Sequence, residues 1–150
     1  MASGVKIREF RPEDYREVEE IWKETELYLP IDRRGLYLKL IQRSPHLFLV
    51  AEREGRVIGT AIGFFPYLPP SLLLEVGIGY IGHLAVRPEV QGRGIGSRLL
   101  KEICARLRSQ GKSMALLGVK PWERRYKDLK RFYRERHGFK NLGMIYIKKL

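Results

Sequence analysis

Alternating and clustered hydrophobic positions divide the chain into strands and helices. Alternating or short continuous apolar runs predict strands, and apolar residues three or four positions apart predict one face of a helix. The predicted strands are at 5–10, 46–51, 56–65, 80–86, 113–119 and 144–148, and the predicted helices begin at 12 and cover about 33–43, 95–107 and 125–137. This order, β-α-α-β-β-β-α-β-α-β, predicts an α/β fold with one domain over residues 1–150.

Proline and glycine residues mark where several of these elements begin or end. Pro12, followed by acidic residues, is typical of a helix start. A turn at 53–55 joins two of the strands as a hairpin. Gly138 suits the left-handed position that closes a helix. The sequence thus predicts the limits of the first helix, the hairpin and the last helix.

Three glycines lie where the strand at 80–86 passes into a helix. They are Gly92, Gly94 and Gly96. Because glycines have no Cβ atom, they let backbone N–H groups approach an anion closely, and the helix start adds unpaired donors and the positive end of the helix dipole. The sequence therefore predicts a cradle for a phosphate group, with Arg93 as an additional cation.

The spacing of these residues narrows the choice of phosphate ligand. A dinucleotide-binding fingerprint needs a third glycine at position 97, where Ser97 stands, and a Walker loop needs a Gly-Lys-Ser/Thr ending that this segment lacks. What remains is Gln91-x-x-Gly94-x-Gly96 after a strand that ends in Leu-Ala-Val-x-Pro. This pattern resembles the acyl-CoA pyrophosphate loop of the GNAT superfamily of N-acetyltransferases. The alternative is a glycine-rich turn that only begins a helix.

The resemblance extends to the order of the elements and to Phe132-Tyr133 and Gly138-Phe139 near the end of the chain. It implies a single-domain GNAT-like fold, in which a mixed central sheet is flanked by helices and a splayed strand pair forms the acyl-CoA cleft. It also implies transfer of an acetyl group from acetyl-CoA directly to an amine acceptor. The strand before the loop would pair with the pantetheine amides, and Gly82 would host a bulge in it. The implied cofactor-binding residues are Leu84, Ala85, Val86, Gln91, Gly92, Arg93, Gly94, Ile95, Gly96 and Ser97.

A proton donor for the departing thiolate is implied at Tyr133, because a tyrosine in this Phe-Tyr block commonly lies beside the acyl-CoA sulfur in GNAT enzymes. The match has three departures. Four residues separate Tyr133 from Gly138, where the family usually has one fewer. Tyr126 and Leu129 stand where an asparagine and an alanine are common. The alternative interpretation is that Tyr133 only packs beside Phe132.

A base, or a site that favours the neutral amine, must deal with the ammonium proton of the acceptor. Glu75 is predicted for this role because it comes before the central strand and a carboxylate is a common GNAT solution. One alternative is His83, since the ordinary pKa of an imidazole suits the task. Another is Tyr80, which strand alternation places on the face of Leu84 and Val86. A water relay is the third.

Charge is distributed unevenly along the chain, whose formal net charge is +12. Residues 1–75 contain 11 Lys+Arg and 12 Asp+Glu, whereas residues 76–150 contain 18 and 5. The half with the glycine loop would attract a polyanionic cofactor and equally a nucleic acid. Because no aromatic and basic recognition motif accompanies the charge, nucleic-acid binding is the disfavoured alternative. A module that binds acyl-CoA without catalysis is another.

Other features of the composition restrict where the protein is expected in the cell and what it is expected to bind. The single Cys104 cannot form an internal disulfide, and without a Cys/His cluster no structural metal is expected. No apolar run is long enough to span a membrane, and the first residues lack the apolar core of a secretory signal, which together predict a cytoplasmic protein. The predicted partner is a small-molecule or peptide amine acceptor, bound near the segments 22–45 and 66–75, and a homodimer is left open.

Overall fold

A mixed β-sheet forms the centre of the molecule. The computed structural model describes residues 4–25, 42, 44–64, 77–118, 126–142 and 145–150. Over these residues the strands are β1 (Lys6–Glu9), β2 (Phe48–Arg53), β3 (Arg56–Phe64), β4 (Ile78–Val86), β5 (Met114–Gly118), β6 (Lys140–Leu142) and β7 (Ile145–Lys149). They form one seven-stranded sheet in the order β1-β2-β3-β4-β5-β7-β6. Neighbouring strands are antiparallel, except that β4 and β5 are parallel.

Helices cover both faces of this sheet. They are α1 (Tyr15–Glu24), α2 (Ile95–Ser109) and α3 (Tyr126–Arg131), which continues as a π-helical turn over Phe132–Arg136. The spacing of Val18, Ile21 and Trp22 puts them on one side of α1, where they are buried in a cluster that includes Ala85 of β4. The apolar stripe of α2 packs on the opposite face, in a second cluster that includes Val86. The predicted mixed sheet flanked by helices is confirmed.

β4 and β5 are paired only at their beginning. The amides of Ser113 and Met114 donate to the carbonyl oxygen of Gly77 at 2.8 and 3.0 Å, which holds the two strand starts together. The parallel ladder covers Ile78–Tyr80 of β4 and goes no further, although both strands continue. Within the described residues, β5 therefore leaves the edge of 81–86 unpaired, and the two strands form the splayed pair that was predicted.

A β-bulge lies in β4 beside this unpaired edge. In the register of β3 with β4, Thr60 pairs with Ala85 and Ile62 pairs with Gly82, so two residues of β4 stand where β3 has one. His83 takes the left-handed conformation at this place, with φ +51°. The bulge that Gly82 was predicted to host is thus present, but Gly82 keeps its partner and the irregularity follows it.

The bulge changes which face the later residues of β4 occupy. A Cβ on Gly79 would lie 2.6 Å from the Leu107 side chain of α2, so Gly79 faces α2 and Tyr80 faces the α1 side. After the bulge, Leu84 and Val86 pack with the α2 cluster. The prediction that Tyr80 shares a face with Leu84 and Val86 is wrong, because simple alternation does not continue across an inserted residue.

Several element limits also differ from the predicted ones. Pro45, with its fixed φ, begins a 3-10 turn over Pro45–Leu47, so β2 starts at Phe48 instead of 46. The short strand β6 was not predicted, since three residues are too few to show a period. The helix predicted over about 33–43 and the segment 66–75 lie outside the described residues.

The described part of the chain contains no helix with the length and apolar character that crossing a membrane requires.

Candidate functional site

The loop between β4 and α2 is held open by two glycines in the left-handed conformation. Gly92 and Gly94 have φ of +77° and +84°, and a Cβ at either position would meet no atom within 4 Å. This φ disfavours every residue with a side chain, because the Cβ would crowd the following carbonyl group. The surface of the loop at these two positions is therefore backbone.

α2 begins at this loop without a capping side chain. Gly94 is its N-cap residue and makes no side-chain cap. The first helical hydrogen bond runs from the amide of Arg98 to the carbonyl oxygen of Gly94, 3.1 Å. The N–H groups of Ile95, Gly96 and Ser97 consequently have no partner inside the helix. With the positive end of the helix dipole, they form a suitable site for a diphosphate.

Side chains at the start of the loop brace it. Gln91 Nε2 donates to the carbonyl oxygen of Val86 at 2.9 Å, which ties the loop to the end of β4. Arg56 Nη2 lies 3.2 Å from Glu89 Oε1 and links the loop to β3. Arg93 is exposed, so its guanidinium can move toward an anion. Cofactor binding by Gln91 and Arg93 stays a prediction, and the contact that the structure gives Gln91 is to the strand.

A buried arginine, paired with three partly exposed carboxylates, fixes the strand end before the loop. The Arg87 side chain is 1% exposed, and its Nε donates to the carbonyl oxygen of Val57 at 2.8 Å. Its Nη atoms lie near three carboxylates of α1: Glu17 at 3.5 Å, Glu20 at 3.3 Å and Glu24 at 3.0 Å. Arg87 thus connects α1 with β3 and with the start of the glycine loop.

The first turn of α2 contacts the C-terminal segment. A Cβ on Gly96 would lie 3.7 Å from Phe132 Cζ. Ser97 Oγ lies 2.9 Å from His137 Nε2, and the rings of Phe132 and His137 are 4.6 Å apart. The glycine loop and the segment that carries the Phe-Tyr block are therefore neighbours.

His137 is held in its neutral form. The residue is 7% exposed. Burial lowers the pKa of its imidazole, and the positive charges of Lys148, Lys101 and Arg136 lower it further. Because a neutral imidazole has one donor and one acceptor nitrogen, its contact with Ser97 is a hydrogen bond between uncharged groups.

The π-helical turn accommodates the additional residue between Tyr133 and Gly138. It occupies Phe132–Arg136, and a π turn holds one residue more than an α turn. After it, Gly138 has φ +70°, as predicted for the end of this helix. The amide of Phe139 donates to the carbonyl oxygen of Tyr133 at 3.0 Å. The departure from the family pattern is thus absorbed within the helix.

Tyr133 lies in the hydrophobic cluster on the α2 side and is 6% exposed. Its ring centroid is 5.1, 5.8 and 5.9 Å from those of Phe132, Phe139 and Tyr146. The contact with Phe132 is what the alternative interpretation expects, and the proton-donor role of Tyr133 stays a prediction. Glu75, the predicted base, lies outside the described residues.

The predicted cofactor-binding residues lie along one continuous path. Leu84, Ala85 and Val86 form the end of β4, beyond its ladder with β5, and 91–97 lead directly into α2. The edge of β4 opposite β3 can accept an added strand there, since no described residue of β5 occupies it.

Comparison with known proteins identifies the family. A family model described as "Acetyltransferase (GNAT) family" matches residues 6–139. The chain belongs to the GNAT acetyltransferase family. The predicted resemblance is confirmed. An acetyltransferase of Photorhabdus laumondii is 33% identical to this GNAT protein over 114 residues, which are 71% of this chain and 69% of that protein.

Solved structures of other proteins share the fold. A GNAT family acetyltransferase from Brucella melitensis, in complex with acetyl-CoA, superposes with a TM-score of 0.67 at 26% identity, over 97% of this chain and 88% of that one. Ard1 from Thermoplasma volcanium superposes with a TM-score of 0.78 at 23% identity, over 98% of both chains. The predicted GNAT-like fold is confirmed.

Sequence reasoning missed two contacts of this GNAT site. Glu17, Glu20 and Glu24 do carry a signal, because their spacing puts them on one side of a helix. Nothing in the sequence connects them with Arg87, which lies 63 residues after Glu24. Residues 97 and 137 are likewise 40 positions apart and meet only in the folded chain.

Proposed function

We propose that this GNAT protein transfers an acetyl group from acetyl-CoA directly to the nitrogen of an amine acceptor. The observation that carries the proposal is the open left-handed loop at the uncapped start of α2, directly after the strand edge that β5 leaves unpaired. A diphosphate fits this loop because the loop presents N–H donors where a side chain would obstruct them. Acetyl-CoA in the Brucella relative supports the same ligand.

The coenzyme is held by backbone groups in this proposal. The N–H groups of 92–97 bind the diphosphate, and Arg93 adds a positive charge. The open edge of Leu84–Val86 pairs with the pantetheine amides as an added strand would. A backbone N–H of this edge donates to the oxyanion that develops when the amine attacks the thioester. The positive charge of residues 76–150 attracts the polyanionic coenzyme.

Two proton transfers accompany the reaction. An alkylammonium group with a pKa near ~10.4 is neutral in only about one molecule in a few thousand at pH 7, which corresponds to roughly 4–5 kcal/mol that the site must supply. Tyr133 is the proposed donor to the thiolate. Glu75 is the base that the sequence favours.

The acceptor is proposed to be the amine of a small molecule or a peptide. The enzyme is proposed to act in the cytoplasm, where its one cysteine, the half-buried Cys104, stays reduced. Burial raises the pKa of the Cys104 thiol and so disfavours the reactive thiolate. Cell fractionation tests the location, and sedimentation equilibrium tests whether the protein forms a homodimer.

The proposal is tested by two measurements on the purified chain. Acetyl-CoA at about 100 times its dissociation constant should raise the unfolding free energy by about 2.7 kcal/mol, because it binds the folded state only. Thiol release from acetyl-CoA is then followed with a peptide amino terminus, free lysine, spermidine and a small primary amine. Release that depends on one of these amines is the expected result.

Other outcomes identify the alternatives. Stabilisation by acetyl-CoA without thiol release for any amine would favour a module that binds acyl-CoA without catalysis. Absence of stabilisation, together with polynucleotide binding that weakens steeply with salt, would favour the nucleic-acid-binding alternative.

A further inference from the structure

His83 is held in a conformation that residues with side chains rarely adopt. Its φ is +51° within β4. The other non-glycine residue with positive φ in the described part of the chain is Glu54, which lies in the β2–β3 hairpin turn, where such a backbone is ordinary. Glycine would take the same conformation in β4 without strain. Strain of this kind clusters at functional sites, so its presence here points to a use for the imidazole.

The imidazole lies on the α1 side of β4, next to the unpaired strand edge. The ring of His83 is 4.9 Å from that of Trp22 on α1, and His83 is partly exposed. Tyr80, three positions earlier, is the last residue of β4 that pairs with β5. Three residues of strand, about 10 Å, separate His83 from Val86 and the start of the loop. The ring is therefore beside the part of β4 along which the coenzyme would extend.

Other described groups near this face have different tasks. The α1 carboxylates that lie toward β4 are within 3.0–3.5 Å of Arg87 and neutralise its buried charge. On this face β3 presents Ile62, an apolar residue, next to the bulge. Tyr80 is on the same face of β4, at the last position that pairs with β5. An imidazole is the side chain that exchanges a proton most readily near pH 7.

We propose that His83, in place of the Glu75 that the sequence favours, accepts the ammonium proton of the acceptor amine, an inference that rests on the proposed acetyl transfer. The imidazole nitrogen takes one proton from the ammonium group, and the released lone pair attacks the carbonyl carbon of the thioester. The C–N bond forms, and the C–S bond breaks with its electron pair on sulfur. Tyr133, the proposed donor, gives its proton to the thiolate and is reprotonated by the second N–H proton, and the imidazolium returns its proton to water.

Two substitutions separate the side chain from the backbone. His83→Asn keeps a polar planar group that tolerates left-handed backbone, and His83→Gly removes the strain entirely, yet neither residue can accept the proton. Glu54→Gly is the matched backbone control, because Glu54 has the same φ of +51° in an exposed turn. His46→Asn removes a histidine from the turn before β2.

The readout is kcat/KM between about pH 5 and 9, with acetyl-CoA and the amine from the panel above that releases thiol fastest. In His83→Asn we expect kcat/KM at neutral pH to fall about 100-fold or more. The plateau of the profile should disappear, and kcat/KM should rise over the whole pH range, because without the imidazole only the neutral amine reacts. Added imidazole should restore part of the activity of His83→Gly. Acetyl-CoA affinity should not change. Both control variants should keep the wild-type profile.

The proposal is overturned if His83→Asn keeps the wild-type kcat/KM and the plateau of its profile, or if it weakens only acetyl-CoA binding. It is also overturned if Glu75→Gln, and not His83→Asn, removes the plateau of the profile. A wild-type protein that acetylates no amine of the panel would overturn the proposed function and this inference together. If only the inference about His83 is wrong, the wild-type protein still acetylates an amine of the panel.

Discussion

The path from β4 to α2 enters the left-handed backbone region in two places and uses different residues in each. In the loop, Gly92 and Gly94 carry no side chain, and the space that a Cβ would occupy is open. In the strand, His83 keeps its imidazole against Trp22. A cradle of N–H donors requires backbone without side chains, whereas the strained bulge presents a side chain at a chosen place. The two solutions lie nine residues apart, counted from His83 to Gly92.

Arg87 lies between these two left-handed places, and its replacement should have the largest effect. Arg87→Met leaves the buried carbonyl oxygen of Val57 without its charged donor and removes three ion pairs with partly exposed carboxylates. We expect the unfolding free energy to fall by about 3 kcal/mol, most of it from the lost hydrogen bond. Arg56→Met, which removes an exposed pair with Glu89, should cost less than about 1 kcal/mol. Urea unfolding measures both, and equal losses would show that burial of Arg87 contributes nothing.

Tyr133→Phe tests whether Tyr133 takes part in the reaction or only packs against its neighbours. Loss of the hydroxyl should lower kcat about 100-fold, since a positioned proton donor contributes at least this much, with unchanged affinity for acetyl-CoA. Tyr146→Phe removes a hydroxyl from an adjacent buried ring and should leave kcat near the wild-type value. Steady-state kinetics and calorimetry give the two quantities. Wild-type turnover in Tyr133→Phe would reduce Tyr133 to a packing residue.

Gly94→Ala tests whether the loop needs left-handed backbone for its ligand. Gly111 has nearly the same φ, +80° against +84°, and equal space at its Cβ, but lies after the end of α2. Each alanine should therefore lower the unfolding free energy by about 1 kcal/mol. Only Gly94→Ala should weaken acetyl-CoA binding, by about tenfold, because its methyl group would lie on the backbone surface that meets the diphosphate. Equal affinities in the two variants would contradict the proposed cradle.

The smallest effect is expected from the titration of His137, behind the loop. Its pKa is lowered in the folded protein, so below about pH 6.5 the unfolded chain takes up a proton that the folded chain refuses. The contribution of neutral His137 to the unfolding free energy is complete above this pH and is lost as pH falls toward the lowered pKa of the folded protein. Urea unfolding at pH 5 and 7.5 measures the loss, which should be smaller in His137→Gln. An identical pH dependence in that variant would assign the loss to other groups.

The sequence predicts best the features that neighbouring residues determine. The left-handed loop follows from glycine spacing, and the buried stripe of α1 follows from residues three and four positions apart. The bulge was predicted at Gly82, but the left-handed backbone of His83 was not, because it depends on the register of β4 with β3, about twenty residues earlier in the chain. The partners of Arg87 and His137 depend on tertiary packing for the same reason.

The Phe-Tyr block could be predicted only in part from the sequence. Counting residues shows one too many between Tyr133 and Gly138. Counting does not show where the excess goes. The structure places it inside the helix, where contacts of Tyr133 with Phe139 and of His137 with Ser97 hold both sides of the turn.

The π-helical turn has a consequence for transferring residue roles between homologues. When one protein has an extra residue in a single helical turn, its backbone before and after that turn can still superpose on that of a homologue. The residue correspondence, however, differs by one on the two sides of the turn. Counting back from Gly138 with the usual family spacing arrives at Arg134, whose side chain is exposed, whereas counting forward along α3 arrives at the buried Tyr133. Alignments of this segment are therefore meaningful only when the gap is placed within 132–136.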